Sequence, residues 1–180
     1  MARRYGAEVV WFPFDLHPEY PPEGIARAVL YARYGGDAHV AKLAETFARA
    51  GLPPYNPPPE VVPNTRDALR LTELARELGL HGAFHDRLMD AYWSEACDIG
   101  DHDELRRLAG ETGLDPAEVE DVLAGDRFLG DVLASTRDAQ SIGINGIPGF
   151  LLDRRLVLTG AYPLEVFDQA FAQLGIEPAA

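Results

Sequence analysis

The chain has 180 residues, of which 47% are hydrophobic and 25% charged, a composition typical of a folded domain and not of a disordered segment. Its formal net charge of -13 would repel a phosphate backbone, so we predict no nucleic-acid partner. No stretch approaches the roughly 20 apolar residues that span a bilayer, so we predict no membrane partner.

The first predicted element is a strand over Ala7 to Phe14. Its sequence, A-E-V-V-W-F-P-F, is almost continuously apolar and rich in β-favouring residues, which is typical of a strand covered on both faces in a partly parallel sheet. A proline-rich connection from Leu16 then leads into a helix that begins near Glu23. Asp37 is the candidate cap of the next helix, which Gly51 ends.

The middle of the chain is predicted to be helical. Residues 52–63 contain too many prolines for a helix or a strand, so we expect a surface loop, either a spacer or a lining of a groove. Asn64 is expected to cap a helix that Gly79 ends, and another helix follows from about Ala83 to Glu95. The first of these two helices should have one apolar face, formed by Ala68, Leu71, Leu74, Ala75 and Leu78. Two more helix starts are predicted: Asp101 with Glu104 has the spacing of a capping box, and Asp115-Pro116 with Glu118 is a second start signal.

The carboxyl-terminal part is predicted to contain a helix, a hairpin and a second helix. The apolar spacing of residues 128–142 predicts the first helix, which Gly143 ends. Two apolar runs, residues 150–152 and 156–159, flank a charged turn and predict a β-hairpin. The last helix is expected from Pro163 to Gly175.

Three motifs carry a family resemblance. The run G-I-N-G-I-P-G-F from Gly143, followed by L-V-L-T-G-A, resembles the carboxyl half of a DsbA-like thioredoxin fold. The motifs P-F-D-L-H-P-E-Y-P-P-E-G from Pro13 and P-N-T-R-D-A-L-R-L from Pro63 resemble the FrnE-type branch of thiol-disulfide oxidoreductases. Relatives of that branch include 2-hydroxychromene-2-carboxylate isomerase and kappa-class glutathione transferase.

The resemblance implies an α/β fold, thioredoxin-like, with a large all-helical insertion. Residues 7–16 and 126–176 would form the thioredoxin-like domain, and residues 17–125 the inserted helical domain. The 180 residues lack the first strand of such a fold and the helix that carries C-x-x-C. Either an amino-terminal segment or another chain would complete the sheet, and residues 2–6 resemble the end of the absent helix.

The predicted substrate-binding residues are Ile147 and Pro148, with Gly146 and Gly149 beside them. The resemblance implies that the Ile147–Pro148 bond is cis and that the backbone of Ile147 pairs with a bound peptide or glutathione. Asn64 matches a position near the groove of the isomerase relatives, although capping also explains it. The implied partners are a peptide or protein dithiol or disulfide, or glutathione as a co-substrate; no other cofactor is implied, and a homodimer is compatible with the family.

No catalytic residue and no metal site are predicted within the chain. Cys97 is the only cysteine, so no disulfide can form within the chain, and the neighbouring carboxylate of Asp98 should raise the thiol pKa. His81 and His85 have the spacing of a zinc-binding pair, with His81 expected just before its helix. They lack a third ligand nearby in sequence, so we interpret them as solvated or capping side chains.

Three functional hypotheses follow. The first is a FrnE-type thiol-disulfide oxidoreductase whose C-x-x-C segment is not among the 180 residues. The second is a glutathione-dependent isomerase or transferase. The third is a redox-inactive binding or scaffold module that uses the helical block or an open sheet edge. The single cysteine and the lack of an apolar targeting segment in these residues favour the cytoplasm.

Overall fold

The structure is a computed structural model that describes residues 2–179. It divides into two compact units, which are described separately below. The first unit contains residues 2–16 and 133–179, and the second contains residues 17–132. The division falls within a helix, between Val132 and Leu133.

The elements of the described residues alternate long helices with short strands. The helices are α1 (Ala2–Tyr5), α2 (Arg27–Tyr34), α3 (Gly36–Ala50), α4 (Arg66–Glu77), α5 (His81–Ser94), α6 (His102–Glu111), α7 (Pro116–Ala124), α8 (Leu129–Ser141) and α9 (Leu164–Gln173). The strands are β1 (Ile25–Ala26), β2 (Val61–Val62), β3 (Gly149–Leu152) and β4 (Leu156–Thr159). Both pairings, β1 with β2 and β3 with β4, are antiparallel.

The main hydrophobic core lies among α4 to α7 in the second unit. The predicted apolar face of α4 is confirmed, except that Leu78, just after the helix, is 44% exposed. Burying such side chains provides most of the favourable free energy of folding. The core comprises Ala68, Leu71, Leu74, Ala75, Phe84, Leu88, Ala91, Ile99, Leu105, Leu108, Ala109, Leu114, Val119, Val122 and Leu123.

Two predicted helix starts are confirmed by their caps. The Oδ1 atom of Asp101 accepts hydrogen bonds from the backbone N–H groups two and three residues later, and Asp115 does the same ahead of Pro116. Each cap satisfies N–H groups that a helix leaves without intrahelical partners. The carboxylate of Glu104 does not complete the predicted capping box; it accepts hydrogen bonds from Cys97 and Arg107.

Several predicted helix boundaries are wrong by a few residues. The helix expected near Glu23 begins at Arg27, because β1 occupies the residues just before it. α3 begins at Gly36, so Asp37 lies in its first turn and does not cap it. α5 begins at His81, two residues before the predicted start, so His81 lies inside the helix and not ahead of it.

Residues 7–14 form no strand in the described part of the chain. The prediction of a strand covered on both faces is therefore wrong for this segment. The side chains of Val9, Val10, Trp11 and Phe12 are 56%, 54%, 52% and 74% exposed. A strand requires a hydrogen-bonded neighbour, and both two-stranded sheets within residues 2–179 form without this segment.

The first unit is held together by aromatic contacts around α9. The ring of Phe150 meets that of Phe167 edge to face, with centroids 4.9 Å apart. The ring of Tyr5 stacks on Phe171 at 4.3 Å, and its hydroxyl donates to Asp168 at 2.7 Å. These contacts anchor β3 and α1 to the same helix. Among residues 2–179, no helix has the length and apolar character needed to cross a bilayer.

Candidate substrate-binding site

The candidate site is the loop between α8 and β3. It begins at Gly143, whose φ of 92° lies in the region that favours glycine. The backbone N–H of Gly143 donates to the carbonyl of Gln140, and that of Ile144 donates to the carbonyl of Ala139. These bonds end the helix and turn the Ile144 side chain inward, where it is 8% exposed.

Pro148 lies at the head of β3. The Ile147–Pro148 peptide bond is cis. The carbonyl of Pro148 accepts a hydrogen bond of 2.8 Å from the backbone N–H of Gly160, immediately beyond the paired residues Gly149 and Thr159. Proline therefore occupies a strand position at which its missing N–H leaves no gap in the ladder.

Ile147 precedes the proline and is available for contact. Its side chain is 57% exposed. Within residues 2–179, neither its backbone N–H nor its carbonyl has a hydrogen-bond partner. An exposed residue with both backbone groups available can pair with an extended peptide, as in β-augmentation.

The two glycines beside this pair have different surroundings. A Cβ atom on Gly149 would lie 2.4 Å from the Cγ2 atom of Ile144, so a larger residue does not fit without displacement. A Cβ atom on Gly146 would meet only the Cγ2 atom of Thr159, at 4.0 Å. Packing therefore requires glycine at position 149 and not at position 146.

Asn64 lies in the other unit. Its Nδ2 donates to the carbonyl of Tyr20 at 2.8 Å, and its Oδ1 accepts from the backbone N–H of Arg66 at 3.0 Å. The N-cap residue of α4 is Thr65, so the prediction that Asn64 caps this helix is wrong by one residue. Asn64 also lines a cavity of about 170 Å³ with Pro22, Glu23, Pro63, Asp98, Gly100 and Asp101.

A sequence profile described as "DSBA-like thioredoxin domain" matches residues 1–172. The chain belongs to this DsbA-like thioredoxin family. The predicted family and its thioredoxin-like fold with a helical insertion are thereby confirmed.

Three relatives show how far the similarity to the DsbA-like family extends. The crystal structure of a probable DsbA oxidoreductase, SCO1869 of Streptomyces coelicolor, is 33% identical with a TM-score of 0.86, covering 97% of this chain and 78% of that protein. A structure of 2-hydroxychromene-2-carboxylate isomerase is 18% identical with a TM-score of 0.75, covering 97% of this chain and 84% of that one, and so shares the fold. The uncharacterized protein YwbO of Bacillus subtilis is 26% identical over 167 residues, which are 92% of this chain and 81% of YwbO.

Cys97 of this DsbA-like chain is in an environment that suppresses the thiolate. Burial and the carboxylate of Glu104, which accepts a hydrogen bond of 3.2 Å from the thiol, raise the Cys97 pKa to about 11. The predicted direction of this shift is confirmed. A thiol that initiates disulfide exchange needs a lowered pKa, so the environment of Cys97 is unsuited to that role.

The predicted histidine pair forms, but without further ligands. The rings of His81 and His85 stack on α5 with centroids 5.6 Å apart. Burial is the main cause that lowers the pKa of both imidazoles. Among the described residues, no group of three or more histidine, cysteine or carboxylate side chains could hold a metal ion.

One polar cluster was not predicted from the sequence. The ring of His17 stacks on Tyr20 at 4.4 Å, and its Nε2 lies 3.1 Å from the hydroxyl of Tyr34. The hydroxyl of Tyr20 is buried and has no hydrogen-bond partner within residues 2–179. The three-residue spacing of His17 and Tyr20 in H-P-E-Y could have indicated the contact between these two rings. The contact with Tyr34 depends on the tertiary fold and has no such local signal.

Proposed function

We propose that this chain carries the polypeptide-binding part of a FrnE-type thiol-disulfide oxidoreductase. The supporting observation is the geometry at Ile147, whose side chain is exposed and whose backbone groups are available directly before Pro148. The family assignment supports the reaction class, and the motifs from Pro13 and Pro63 support the FrnE branch.

The proposed role of Ile147 is to align a substrate strand. Its N–H would donate to a substrate carbonyl, and its carbonyl would accept from a substrate N–H. This antiparallel pair would fix the substrate backbone next to β3 and bring its sulfur to a defined position. Pre-positioning of this kind lowers the entropic part of the barrier to reaction.

The reaction itself requires two thiols besides those of the substrate. In the reducing direction, a thiolate attacks one sulfur of the substrate disulfide and releases the other as a thiolate, which takes a proton. A second thiol then attacks the mixed disulfide, so two electrons pass from the dithiol to the substrate. Cys97 is a single thiol with a pKa of about 11. The proposal therefore places the dithiol on polypeptide other than these 180 residues.

The deciding measurement is the intact mass of the native protein from its source, before and after thiol alkylation. We expect a polypeptide heavier than this chain that gains at least two further alkyl groups besides the one on Cys97. A native mass equal to that of the 180 residues, with one alkylated thiol, would overturn dithiol exchange within the polypeptide. It would favour the redox-inactive binding module.

The binding role of Ile147 has its own test. The substitution Ile147→Pro removes the backbone N–H, whereas Ile147→Ala keeps it and removes most of the side chain. We expect Ile147→Pro to weaken binding of an extended apolar peptide about tenfold, the equivalent of one net hydrogen bond of roughly 1.4 kcal/mol. Ile147→Ala is the control for backbone pairing. Equal affinities of the two variants, measured by titration calorimetry, would contradict that pairing.

A second candidate is a glutathione-dependent isomerase or transferase. It is favoured by the similarity in fold to 2-hydroxychromene-2-carboxylate isomerase, which covers 97% of this chain. Glutathione could pair with the backbone of Ile147 through its peptide groups. Saturable binding of glutathione at millimolar concentration, lost in Ile147→Pro, would support this candidate. No binding in that range would remove it. We propose the cytoplasm as the compartment for either activity, because a reduced Cys97 suits it.

A further inference from the structure

We propose that Asn145 is a site of spontaneous deamidation, a covalent change that would place a carboxylate on the loop that presents Ile147. Asn145 is exposed and is followed directly by Gly146. In such a pair, the backbone nitrogen of the glycine can attack the side-chain amide of the asparagine, because glycine has no Cβ atom to obstruct the approach. The loop therefore contains the two residues that this reaction requires.

The reaction needs only water as a co-reactant. The backbone nitrogen of Gly146 loses its proton and bonds to Cγ of Asn145, and the bond from Cγ to Nδ2 breaks, so that ammonia leaves and a cyclic succinimide remains. Water then adds to one carbonyl carbon of the ring and breaks its bond to the nitrogen. Opening at Cγ gives aspartate, whereas opening at the backbone carbonyl carbon gives isoaspartate, in which the chain continues through Cγ. In both products a carboxylate replaces a neutral amide.

The local hydrogen bonds leave both reacting groups available. Within residues 2–179, the backbone N–H of Gly146 has no hydrogen-bond partner. The Nδ2 atom of Asn145 donates to the carbonyl of Gly143 at 3.3 Å, which is longer than an ideal hydrogen bond. This bond is exposed to solvent, so breaking it to bring Cγ toward the glycine nitrogen costs little free energy.

The other two asparagines of the chain lack these features. Asn56 precedes Pro57, whose ring nitrogen carries no hydrogen and cannot attack. Asn64 precedes a threonine, and both polar atoms of its amide are engaged, one with the carbonyl of Tyr20 and the other with the backbone N–H of Arg66. We therefore expect Asn145 to convert, and Asn56 and Asn64 serve as internal controls.

A carboxylate at position 145 would change which polypeptides pair with Ile147, a consequence that rests on the proposed function. The Cα atoms of positions 145 and 147 are at most about 7 Å apart, less than the roughly 8 Å over which physiological salt screens a charge. Residues 139–152 contain no charged side chain, so the carboxylate would be the first charge in this segment. The deamidated loop would repel acidic substrate segments and attract basic ones.

Mass spectrometry of the protein incubated at pH 8 tests the modification. We expect the tryptic peptide of residues 138–154 to gain about 1 Da, the water gained less the ammonia lost, and to separate into an aspartate and an isoaspartate product. Asn56 and Asn64 should stay unchanged. A synthetic peptide of residues 138–154, incubated alongside, establishes that the conditions permit conversion. An unchanged Asn145 in the folded protein while this peptide converts would overturn the proposal.

Gly146→Ala isolates the part played by the glycine. A Cβ atom at position 146 would meet only the Cγ2 atom of Thr159, at 4.0 Å, and Gly146 has no positive φ, so alanine should fit the loop. We expect conversion of Asn145 to slow about fivefold, because alanine lacks the conformational freedom that lets the nitrogen reach Cγ. Asn145→Gln should show no mass gain over the same period. Equal rates with glycine and alanine at position 146 would contradict the assigned site.

Peptide binding tests the consequence for substrates. Two extended apolar peptides are compared that differ only in their flanking residues, glutamate in one and lysine in the other. Asn145→Asp should weaken binding of the glutamate peptide about two- to fivefold relative to the lysine peptide, and the difference should vanish in about 1 M salt. Asn145→Gln, which stays neutral, is the control. Equal effects of Asn145→Asp on both peptides would refute discrimination by charge.

The two measurements separate this proposal from the proposed function. If neither peptide binds, the proposed function fails and the consequence for substrates fails with it, whereas the mass gain at Asn145 is decided without any binding measurement. Native protein from its source provides the last check. If its Asn145 stays unchanged under conditions that convert the 180-residue chain, another segment covers the loop, and the proposal is overturned for the native molecule.

Discussion

The environment of Cys97 shows how neighbouring groups determine what a single thiol can do. Its hydrogen bond to Glu104 lies beside a network in which Arg107 binds both Glu104 and Glu111. The arginine holds the carboxylate ionised and lowers the pKa of Glu104. An ionised acceptor favours the protonated thiol, which adds to the effect of burial.

We therefore expect slow alkylation of Cys97. A thiol pKa of about 11 in place of 9.0 leaves about 100-fold less thiolate at pH 8. The rate of iodoacetamide labelling, followed by mass spectrometry, should rise as the pH approaches 11. Glu104→Gln should increase the rate at pH 8, because it removes the acceptor charge, but burial should keep it below that of the urea-unfolded chain. Labelling of the folded and unfolded chains at the same rate would contradict the expectation.

Arg70 is the buried cation of the second unit, and its role is structural. It is 4% exposed, and its Nε donates to the carbonyl of Arg127 at 2.9 Å. Its Nη2 donates to the carbonyls of Val122 and Gly125, near the end of α7. One guanidinium thus satisfies carbonyl groups that the helix terminus leaves without partners.

Arg70→Met should lower the free energy of unfolding by about 3 kcal/mol, because it leaves buried carbonyls without donors. Arg70→Lys should recover only part of the loss, since an ammonium cannot reproduce the planar fork. Urea denaturation followed by circular dichroism measures both. Arg137→Met, at an exposed position of α8, is the control and should change the value by less than about 0.5 kcal/mol. Similar losses in both Met variants would contradict the assigned role.

At the scale of elements, the β3–β4 hairpin contains a turn that one of its residues, Arg154, does not favour. Asp153 and Arg154 both have positive φ, at 49° and 55°. The backbone N–H of Arg155 closes the turn by donating to the carbonyl of Leu152 at 3.0 Å. Two consecutive residues with positive φ are typical of a type I′ turn, in which Asn-Gly is the preferred pair.

Arg154→Gly should stabilise the hairpin. Relief of the left-handed conformation is worth about 1–2 kcal/mol, and the greater freedom of glycine when unfolded removes about half of it. We expect the free energy of unfolding to rise by up to about 1 kcal/mol. Arg155→Gly is the matched control, because Arg155 has no positive φ and contacts Asp153; it should be destabilising. A loss of stability in both variants would show that the turn carries no such strain.

Elements were predictable where the signal is local. The face of α4 follows from apolar residues at helical spacing, and the hairpin from glycine and proline next to short apolar runs. Residues 7–14 have the composition of a strand, but a strand also requires a neighbour, which composition cannot supply. For the same reason, the hydrogen bond from Asn64 to the carbonyl of Tyr20 was not predictable, since the two residues are distant in sequence.

At the scale of the whole molecule, the buried side chains are unevenly distributed. The large core belongs to α4 to α7, whereas the first unit buries a few residues around α9, among them Ile144, Phe167 and Phe171. Local opening depends on buried apolar contacts and on protected backbone hydrogen bonds. The two units should therefore differ in the free energy of local opening.

Hydrogen exchange followed by mass spectrometry measures this difference. We expect the slowest amide exchange in α4 and α6 and faster exchange in β3 and β4, with the fastest in residues 7–10, whose backbone groups have no partner within residues 2–179. Val10→Lys is a useful control, because it should leave exchange in the core unchanged. Protection of the hairpin equal to that of α4 would contradict the uneven distribution.

The close approach of Ile144 to Gly149 also limits how this protein can evolve. Any side chain at position 149 would clash with the Cγ2 atom of Ile144. Alanine at position 149 should therefore be tolerated only when position 144 carries a residue that is not β-branched. In a library with both codons randomised, the two positions should change together, while Gly146 tolerates other residues independently. The loop that presents Ile147 would then evolve through coupled substitutions at positions 144 and 149, which lie on either side of Pro148.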